Sequence, residues 1–306
     1  MWDKYFGFDQ KVIYSSGKFL LGGNKSYFVT NSQFLNLNGQ GAIRFTTILD
    51  SIDLFVHSCS FRSCNAEKNG GAIYFGDNGR IVQEMNQADN CSVMGTHYGH
   101  YCHATPSDLP ECFNYLLRCS IINCGKSNTG SFTVNIEDGQ VNVSCTNISK
   151  NSAKLMSAFD INSPDCDSII KYCTVSENIN NDLNLILINS IGYTVNIQMT
   201  NIINNKCSTG SVIFAASNSN VNISNSSIIG NIKTNNLETD IGSISIYSSY
   251  LDETPNSEYN KGNNIITNYP IYFQSNLFCP FKPSRKFILI KVPHLFNTLL
   301  LFLIKR

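Results

Sequence analysis

A motif of about 26 residues recurs along the chain and constrains the fold more than any other feature of the sequence. Its copies share a short apolar strand, an Asn or Cys a few residues later, and a second apolar strand. The copies begin at Ser32, Cys59, Cys119, Cys145, Cys173, Met199 and Asn225. Consecutive starts are 27, 60, 26, 28, 26 and 26 residues apart, so the interval of 60 holds either two units or one unit plus an insertion.

Each unit contains runs of three to five residues in which apolar and polar side chains alternate, as in Val141–Ser144 (VNVS). Alternation at period two is typical of a half-buried strand, and the Asn, Ser and Gly clusters between the runs are typical of turns. A unit of three short strands can bury its apolar side only by stacking on its neighbours. The sequence therefore predicts an all-β, right-handed parallel β-helix solenoid.

Stacking places equivalent residues of successive coils roughly 4.8 Å apart, in columns. Side-chain amides can hydrogen-bond from coil to coil in such a column. We expect an asparagine column at Asn151, Asn178, Asn205 and Asn231, and an interior apolar column at Ile148, Val175, Ile202 and Ile228. The rival folds are a β-propeller, whose blades usually repeat at about 40 residues or more, and an antiparallel β-sandwich, which has no reason to keep this period.

We divide the chain into a repeat domain, residues 1–280, interrupted by one long loop insertion at 76–118, and an apolar C-terminal tail, residues 281–306. The tail contains the run Phe287–Ile304, which is broken by Lys291, Pro293, His294 and Asn297. A spanning helix needs roughly 20 mostly apolar residues. We interpret the tail as either a membrane segment or a capping segment, so membrane association stays open.

The composition bears on the cellular setting. Charged residues make up 14% of the chain and the formal net charge is zero, which argues against a nucleic-acid partner. Twelve cysteines favour an oxidising compartment, although residues 1–10 contain no signal-peptide pattern. Asn-x-Ser/Thr sequons, which suit a secreted or cell-surface chain, occur at Asn24, Asn90, Asn142, Asn147, Asn222 and Asn225.

One segment carries a family resemblance. Cys59-Ser-Phe-Arg-Ser-Cys64, followed by Asn69-Gly-Gly-Ala-Ile-Tyr-Phe75, resembles the repeats of polymorphic outer membrane protein-like surface proteins, and Cys-Ser-Ile-Ile-Asn-Cys at 119–124 is similar to the protist branch of that family. The repeat register covers about Ser32 to Phe273, with one full Gly-Gly-Ala-Ile copy and a degenerate Gly-Ala-Ile at 41–43. The resemblance implies a β-helical passenger region for adhesion or surface display, and it implies no catalytic residues. The family's signal peptide and bacterial barrel domain have no visible counterpart here.

The cysteines offer two places for chemistry. Cys119, Cys145 and Cys173 open successive repeats, so we expect a column of small buried thiols in which adjacent pairs are within reach of one disulfide. Residues 76–118 also contain potential zinc ligands, namely Cys91, Cys102, Cys112, His97, His100 and His103. Their spacing matches no zinc pattern. We interpret this segment as a disulfide-stapled surface loop, keep a metal site as the alternative, and assign no metal ligand and no cofactor.

The acidic residues decide whether an enzyme is expected. Cleavage of acidic polysaccharides needs paired acids, or acids that hold a metal beside a base. We interpret the acids beside turn residues as solvated turn acids, namely Glu137, Asp138, Asp165 and Asp167. Asp160 aligns with Leu187 one coil on and with Phe214 two coils on, so no acid column is expected there. We therefore predict no catalytic residues.

These observations predict a non-enzymatic cell-surface or secreted β-helix protein that mediates adhesion or surface display. Its expected partners are glycans or host and cell-surface proteins. Two alternatives stay open. One is a carbohydrate-active enzyme of pectin lyase-like fold, which a cluster of two or more acids with a base on one outer face would favour. The other is a truncated fragment without independent function.

Overall fold

The chain folds, in a computed structural model, as a parallel β-helix of stacked coils. The structure describes residues 1–7, 11–23, 25–46, 51–76, 78–106, 111–125, 129–233 and 235–252. In these ranges every pair of named strands is parallel and a single helical turn is present, so the prediction of a parallel β-solenoid is confirmed. The predicted apolar tail at 281–306 lies outside the described residues.

The helical turn, α1, spans Asp3–Phe6. The strands, in chain order, begin with β1 (Lys11–Tyr14), β2 (Leu20–Leu21), β3 (Ser26–Thr30), β4 (Gln33–Leu35), β5 (Ile43–Phe45), β6 (Ile52–His57), β7 (Ser60–Arg62), β8 (Asn65–Ala66), β9 (Ile73–Phe75), β10 (Gly79–Glu84) and β11 (Gln87–Asp89). They continue with β12 (Ser92–Val93), β13 (Cys102–Ala104), β14 (Phe113–Leu117), β15 (Ser120–Ile122), β16 (Phe132–Glu137), β17 (Gln140–Ser144), β18 (Asn147–Ser149), β19 (Ser152–Ala153), β20 (Met156–Asn162), β21 (Ser168–Lys171) and β22 (Thr174–Ser176). They end with β23 (Ile179–Asn180), β24 (Ile186–Asn189), β25 (Thr194–Gln198), β26 (Asn201–Ile203), β27 (Lys206–Cys207), β28 (Ser211–Ala215), β29 (Asn220–Ser224), β30 (Ser227–Ile229), β31 (Asn235–Thr239), β32 (Ser243–Tyr247) and β33 (Tyr250–Leu251).

Each coil contributes a strand to each of three long sheets. The first sheet has the order β1-β3-β6-β10-β14-β17-β21-β25-β29-β32. The second sheet runs β4-β7-β11-β15-β18-β22-β26-β30-β33, and the third sheet runs β2-β5-β9-β13-β16-β20-β24-β28-β31. Two short sheets, β8-β12 and β19-β23-β27, use residues that lie between the second and third sheets along the chain.

The interior is filled by apolar columns, because alternate residues of each strand point inward. The predicted column of Ile148, Val175, Ile202 and Ile228 is confirmed: these residues pair in register and are fully buried. The same column extends toward the N-terminus, where the Phe34 and Phe61 rings stack with centroids 5.0 Å apart. Burial of one such side chain stabilises the fold by roughly 1.5–3 kcal/mol.

The asparagine ladder, which consists of Asn151, Asn178, Asn205 and Asn231, is also confirmed. The Oδ1 of Asn178 accepts both the backbone N–H and the side-chain N–H of Asn151, at 2.9 and 3.0 Å, from 27 residues away. Its Nδ2 donates to Ile148 O at 3.0 Å and to the Oδ1 of Asn205 at 2.9 Å. The ladder therefore links four coils with hydrogen bonds that water does not reach.

Cysteines continue the asparagine ladder in the N-terminal coils. Cys124 donates its backbone N–H to the Oδ1 of Asn151 at 2.8 Å, and the thiols of Cys91 and Cys64 donate to carbonyl oxygens 30 residues earlier, as the ladder asparagines do. A thiol is a weak donor that needs little space. Asn and Cys are therefore alternative solutions for one buried turn position.

The turns on both sides of the second sheet hold one residue per coil in the left-handed region. Before the second sheet these residues are Asn31, Ser58, Met85, Arg118, Cys145, Tyr172, Met199, Asn225 and Ser248, with φ between 44° and 59°. After it they are Asn36, Ser63, Asn90, Asn123, Lys150, Glu177, Asn204 and Gly230. Each non-glycine residue in this region costs about 1 kcal/mol or more. The stacking of the coils therefore outweighs local backbone preference.

Residues 76–118 do not interrupt the stack, which corrects the interpretation of this segment as an insertion that breaks the repeat. It supplies β10, β11, β12, β13 and β14; β12 pairs with β8 of the preceding coil, and the other four strands pair with the coils on both sides. Part of the extra length lies in the loop at 94–101, between β12 and β13. The interval of 60 residues thus contains two units, and the second has longer loops.

The Gly-Gly-Ala-Ile segment has a steric explanation. Gly70 adopts φ +78°, which side chains rarely tolerate, and a Cβ on Gly71 would collide with the backbone carbonyl oxygens of His100 and Ser92. Two glycines are required because the chain turns sharply and because the next coil approaches the backbone closely.

We predict that Asn178→Ala lowers the free energy of unfolding by about 3 kcal/mol, because it leaves the buried backbone N–H of Asn151 without an acceptor. Chemical unfolding followed by circular dichroism measures the change. Asn220→Ala is the matched control, since Asn220 is exposed and accepts one hydrogen bond, from Ser243; its loss should stay below about 1 kcal/mol. Equal losses for the two variants would contradict the role of the ladder.

Candidate functional site

Polar side chains of the third sheet form a row on its outer face. Arg44 pairs in register with Tyr74, Tyr74 with His103, His103 with Asn135, and Asn135 with Asp160. We call these five residues the outer row. Because the residues before and after each of them point into the core, their strands fix the direction of each polar side chain.

The outer row is a continuous chain of contacts. The guanidinium carbon of Arg44 lies 4.4 Å from the centroid of the Tyr74 ring, and that ring stacks on His103 at 5.4 Å. The Nδ1 of His103 hydrogen-bonds the Oδ1 of Asn135, and the Nδ2 of Asn135 donates to the Oδ2 of Asp160 at 2.7 Å. A cation at one end is thereby joined to an acid at the other through three uncharged groups.

Asp160 is the acid of the outer row, and its pKa is strongly raised. Its side chain is buried, and its Oδ1 has no hydrogen-bond partner among the described residues. The pKa of Asp160 is raised to about 7, mainly by burial and also by the nearby charge of Glu137, while the hydrogen bond from Asn135 opposes both. Burial also raises the pKa of Glu137. Two interacting acids with raised pKa values are typical of functional sites and of structural polar networks alike.

The structure separates the four predicted turn acids into two kinds. Asp165 and Asp167 lie in the turn before β21, where they accept the backbone N–H groups of Gly139 at 2.7 Å and Thr194 at 2.9 Å. Asp138 has the left-handed conformation of a turn residue. Glu137 is different, because it is the half-buried last residue of β16 and its charge acts on Asp160. The interpretation of Glu137 as a solvated turn acid is therefore wrong.

The alignment of Asp160 with uncharged neighbours is confirmed on its C-terminal side. Asp160 pairs with Leu187, and Leu187 pairs with Phe214. On the N-terminal side the alignment missed Asn135 and His103. The sequence signal for an outward residue was the central position of each apolar-x-apolar strand. His103 holds that position in Cys102–Ala104, but this strand was not recognised because it lacks the Gly-Gly-Ala-Ile pattern.

A shallow groove of about 200 Å³ lies at the arginine end of the outer row. Its lining consists of Arg44, Lys68, Asn69, Tyr74 and His97. The strands β5 and β9 place Arg44 and Tyr74, the turn before β9 places Lys68 and Asn69, and the loop at 94–101 places His97. The groove therefore depends on the coil at 76–118, which the sequence predicted to be a loop insertion.

The three histidines of residues 76–118 have separate positions. His97 is exposed at the groove. His100 is buried, with its Nδ1 accepting the Val93 N–H at 3.1 Å and its Nε2 2.9 Å from Thr129 O. Burial lowers the pKa values of His100 and His103 to about 4, so both rings are neutral near pH 7.

The cysteines of the same segment do not form the expected staple. Cys91 and Cys102 are free, buried thiols, and Cys112 is buried. The interpretation of a disulfide-stapled surface loop is therefore wrong for Cys91 and Cys102. In the part of the chain that the structure describes, no three His, Cys, Asp or Glu side chains are placed to hold a metal ion.

The cysteine column also differs from the prediction at one position. Cys119 donates its backbone N–H to the Oγ1 of Thr146 at 3.3 Å, and Cys173 donates to Thr200 in the same way at 3.4 Å. Thr146 therefore occupies the column between Cys119 and Cys173. Cys145 lies one residue earlier, in the left-handed turn, and is disulfide-bonded.

Comparison with protein-family models, curated proteins and solved structures gives no significant match for this chain. Within the described ranges, no helix combines the length and apolar character needed to cross a membrane.

We predict that Asp160 makes the folded chain less stable as pH rises. The folded carboxyl has a pKa of about 7, against about 4 in an unfolded chain, so its stabilising proton is fully present below pH 4 and is lost toward pH 7. Asp160→Asn should remove this loss and be the more stable protein at pH 8 by up to about 4 kcal/mol. Unfolding of both proteins at pH 5 and pH 8 measures the difference.

The variant must be compared with the parent chain, because His100 and His103 change the stability with pH in the direction opposite to Asp160 and do so in both proteins. Their pKa values fall on folding, so they favour the folded state increasingly as pH rises to about 6.5. An identical pH dependence for Asp160→Asn and the parent chain would contradict the perturbed pKa of Asp160.

We predict that Cys166 reacts first when the native protein is alkylated. The other described free thiols are buried, and burial raises the pKa values of Cys102, Cys119 and Cys173 to about 12, so little thiolate forms. Cys166 is partly exposed. Mass spectrometry after brief iodoacetamide treatment at pH 8 locates the label, and Cys166→Ser is the control. Early labelling of Cys119 or Cys173 would refute the buried column.

Proposed function

We propose that the chain is a non-enzymatic β-helix protein, at the cell surface or secreted, that serves adhesion or surface display. The observation that carries the proposal is a flat outer face on the first sheet, formed by β17, β21, β25, β29 and β32. Most of its outward residues are amides and hydroxyls, namely Gln140, Asn142, Thr194, Asn196, Gln198, Asn220, Asn222, Ser224, Ser243 and Ser245, and Ile169, Lys171 and Tyr247 lie among them. We call this surface the amide face.

The amide face suits binding because its groups are repeated at fixed spacing. Val195 and Ile197 are buried on the interior side of β25, so Thr194, Asn196 and Gln198 point outward. The next coil repeats the pattern about 4.8 Å away. Extended regular surfaces of this kind are what solenoid proteins use to bind partners, and glycans or cell-surface proteins are the partners we propose.

The sequons support a secreted or surface setting. Asn90 is exposed, and Asn142, Asn147, Asn222 and Asn225 are partly exposed. Asn90, Asn147 and Asn225 are therefore open to glycosylation away from the amide face, whereas a glycan on Asn142 or Asn222 would cover part of that face. Asn24 lies outside the described residues.

The acids support a structural role more than a catalytic one. Asp53 is bound by the Nε and Nη2 of Arg80, both at 2.7 Å, and Glu84 is held by Arg118. The groove is lined by Arg44 and Tyr74 at the opposite end of the outer row from Asp160. A buried acid away from the groove is poorly placed to meet a substrate.

A carbohydrate-active enzyme is the second candidate, and Glu137 with Asp160 is the observation that favours it. The two acids interact on one outer face, and His103 is the imidazole of the same row. General acid catalysis on a glycosidic bond uses a carboxyl whose pKa is raised toward 7. Product formation therefore separates the two candidates.

We expect surface labelling of intact cells to reach the full chain, and we expect the purified chain to bind cells or glycans without cleaving them. Labelling confined to the cytosol would defeat the surface proposal. A polysaccharide panel assayed for new reducing ends and unsaturated products tests the enzyme. Product that Asp160→Asn and Glu137→Gln both abolish would establish the second candidate instead. Lys206→Gln, at an exposed lysine of β27 that belongs to neither the amide face nor the outer row, serves as the control for turnover.

A further inference from the structure

The groove at the arginine end of the outer row has the chemistry of an anion site. Arg44 rests on the Tyr74 ring and donates through its Nη1 to Asn69 O at 3.0 Å and Gln40 O at 3.5 Å. The Tyr74 ring is supported from behind by His103. The guanidinium is thus held in one orientation while its other donors remain available.

The positive charge of the groove is not neutralised by the described part of the chain. Neither Arg44 nor Lys68 has an acidic partner among the described residues, whereas Arg80 and Arg118 are paired. Arg44 is half-buried, and burial lowers its pKa from its usual value. A partly desolvated cation with free donors binds a carboxylate or sulfate more strongly than an exposed one does.

The remaining groups of the groove suit a sugar ring. The Oδ1 of Asn69 accepts the Tyr98 N–H at 3.0 Å, which leaves the amide N–H groups to donate to hydroxyls. The His97 ring lines the same groove and provides a flat surface beside Asn69. A pyranose presents hydroxyls at its edge and C–H groups on its face, so it needs both kinds of neighbour.

The size of the groove limits the ligand to a small unit. A volume of about 200 Å³ is below the roughly 300–1,000 Å³ of sites that enclose drug-sized molecules. A protein partner would need a surface of about 800 Å² on each side. One acidic monosaccharide unit of a longer glycan matches the groove better than either.

We propose that this groove binds the carboxylate or sulfate of an acidic saccharide, with Arg44 and Lys68 as the anion contacts and Asn69 and His97 as hydroxyl contacts. The proposal rests on the proposed binding function and names its ligand class. It places recognition of the anion on the third sheet, separate from the amide face of the first sheet.

The test uses the full chain and four probes: a uronic acid oligosaccharide, a sulfated oligosaccharide, the carboxyl-reduced neutral oligosaccharide, and inorganic sulfate. Titration calorimetry should show that at least one acidic oligosaccharide binds and that the neutral one binds at least about tenfold more weakly. The two acidic probes distinguish a carboxylate ligand from a sulfate ligand. Inorganic sulfate that binds as tightly as the sulfated oligosaccharide would overturn the saccharide assignment.

Variants test the residues. Arg44→Gln and Lys68→Gln should each weaken binding about tenfold or more, while Lys206→Gln, an exposed lysine on β27, should leave it unchanged. Lys68 is exposed, so its variant keeps the test valid if Arg44→Gln unfolds. Unchanged binding of acidic glycans by Lys68→Gln and by a folded Arg44→Gln would overturn the groove and leave the adhesion proposal intact. An absence of all glycan and cell binding would defeat both.

Discussion

Backbone hydrogen bonds between successive coils hold each strand of this solenoid against its equivalent in the next coil, and every side-chain column follows from that register. In parallel, in-register strands, like residues meet like residues at about 4.8 Å. Charged side chains would repel in such columns, which is consistent with a chain that is only 14% charged. An amide both donates and accepts, so Asn151 and Asn178 attract in the position where two lysines would repel.

The same register gives the outer row its character. Five different side chains stand one above another, and each contact suits its two members: a cation on a ring, a ring on an imidazole, an imidazole to an amide, and an amide to an acid. Burial then acts on the row as a whole, since it raises the pKa of Asp160 and lowers that of His103. The end that carries Arg44 stays open to ligands, and the end that carries Asp160 is closed.

Much of the fold could be predicted because each coil corresponds to one sequence repeat of about 26 residues. The asparagine ladder and the apolar column of Ile148 and Val175 follow from spacing alone. The sequence predictions failed where successive coils keep a side-chain property, such as small size with a hydrogen-bonding atom, but not the same residue type. Thr146 fills the position expected for Cys145 because a small side chain with a hydrogen-bonding atom is all that the column requires. Long loops concealed the coil at 76–118. The pairing of Asn135 with Asp160 follows a register shift between β16 and β20, which no linear pattern reveals.

The left-handed turn residues have an evolutionary consequence. Met85, Arg118, Tyr172 and Met199 adopt a conformation that favours glycine or asparagine, and they are held there by the coil-to-coil hydrogen bonds of their own backbone. Because the backbone of the neighbouring coil specifies the turn, the identity of the turn residue is nearly free to drift. Single substitutions can therefore change the side chains along these two columns of turn residues while the backbone of the coils keeps its conformation.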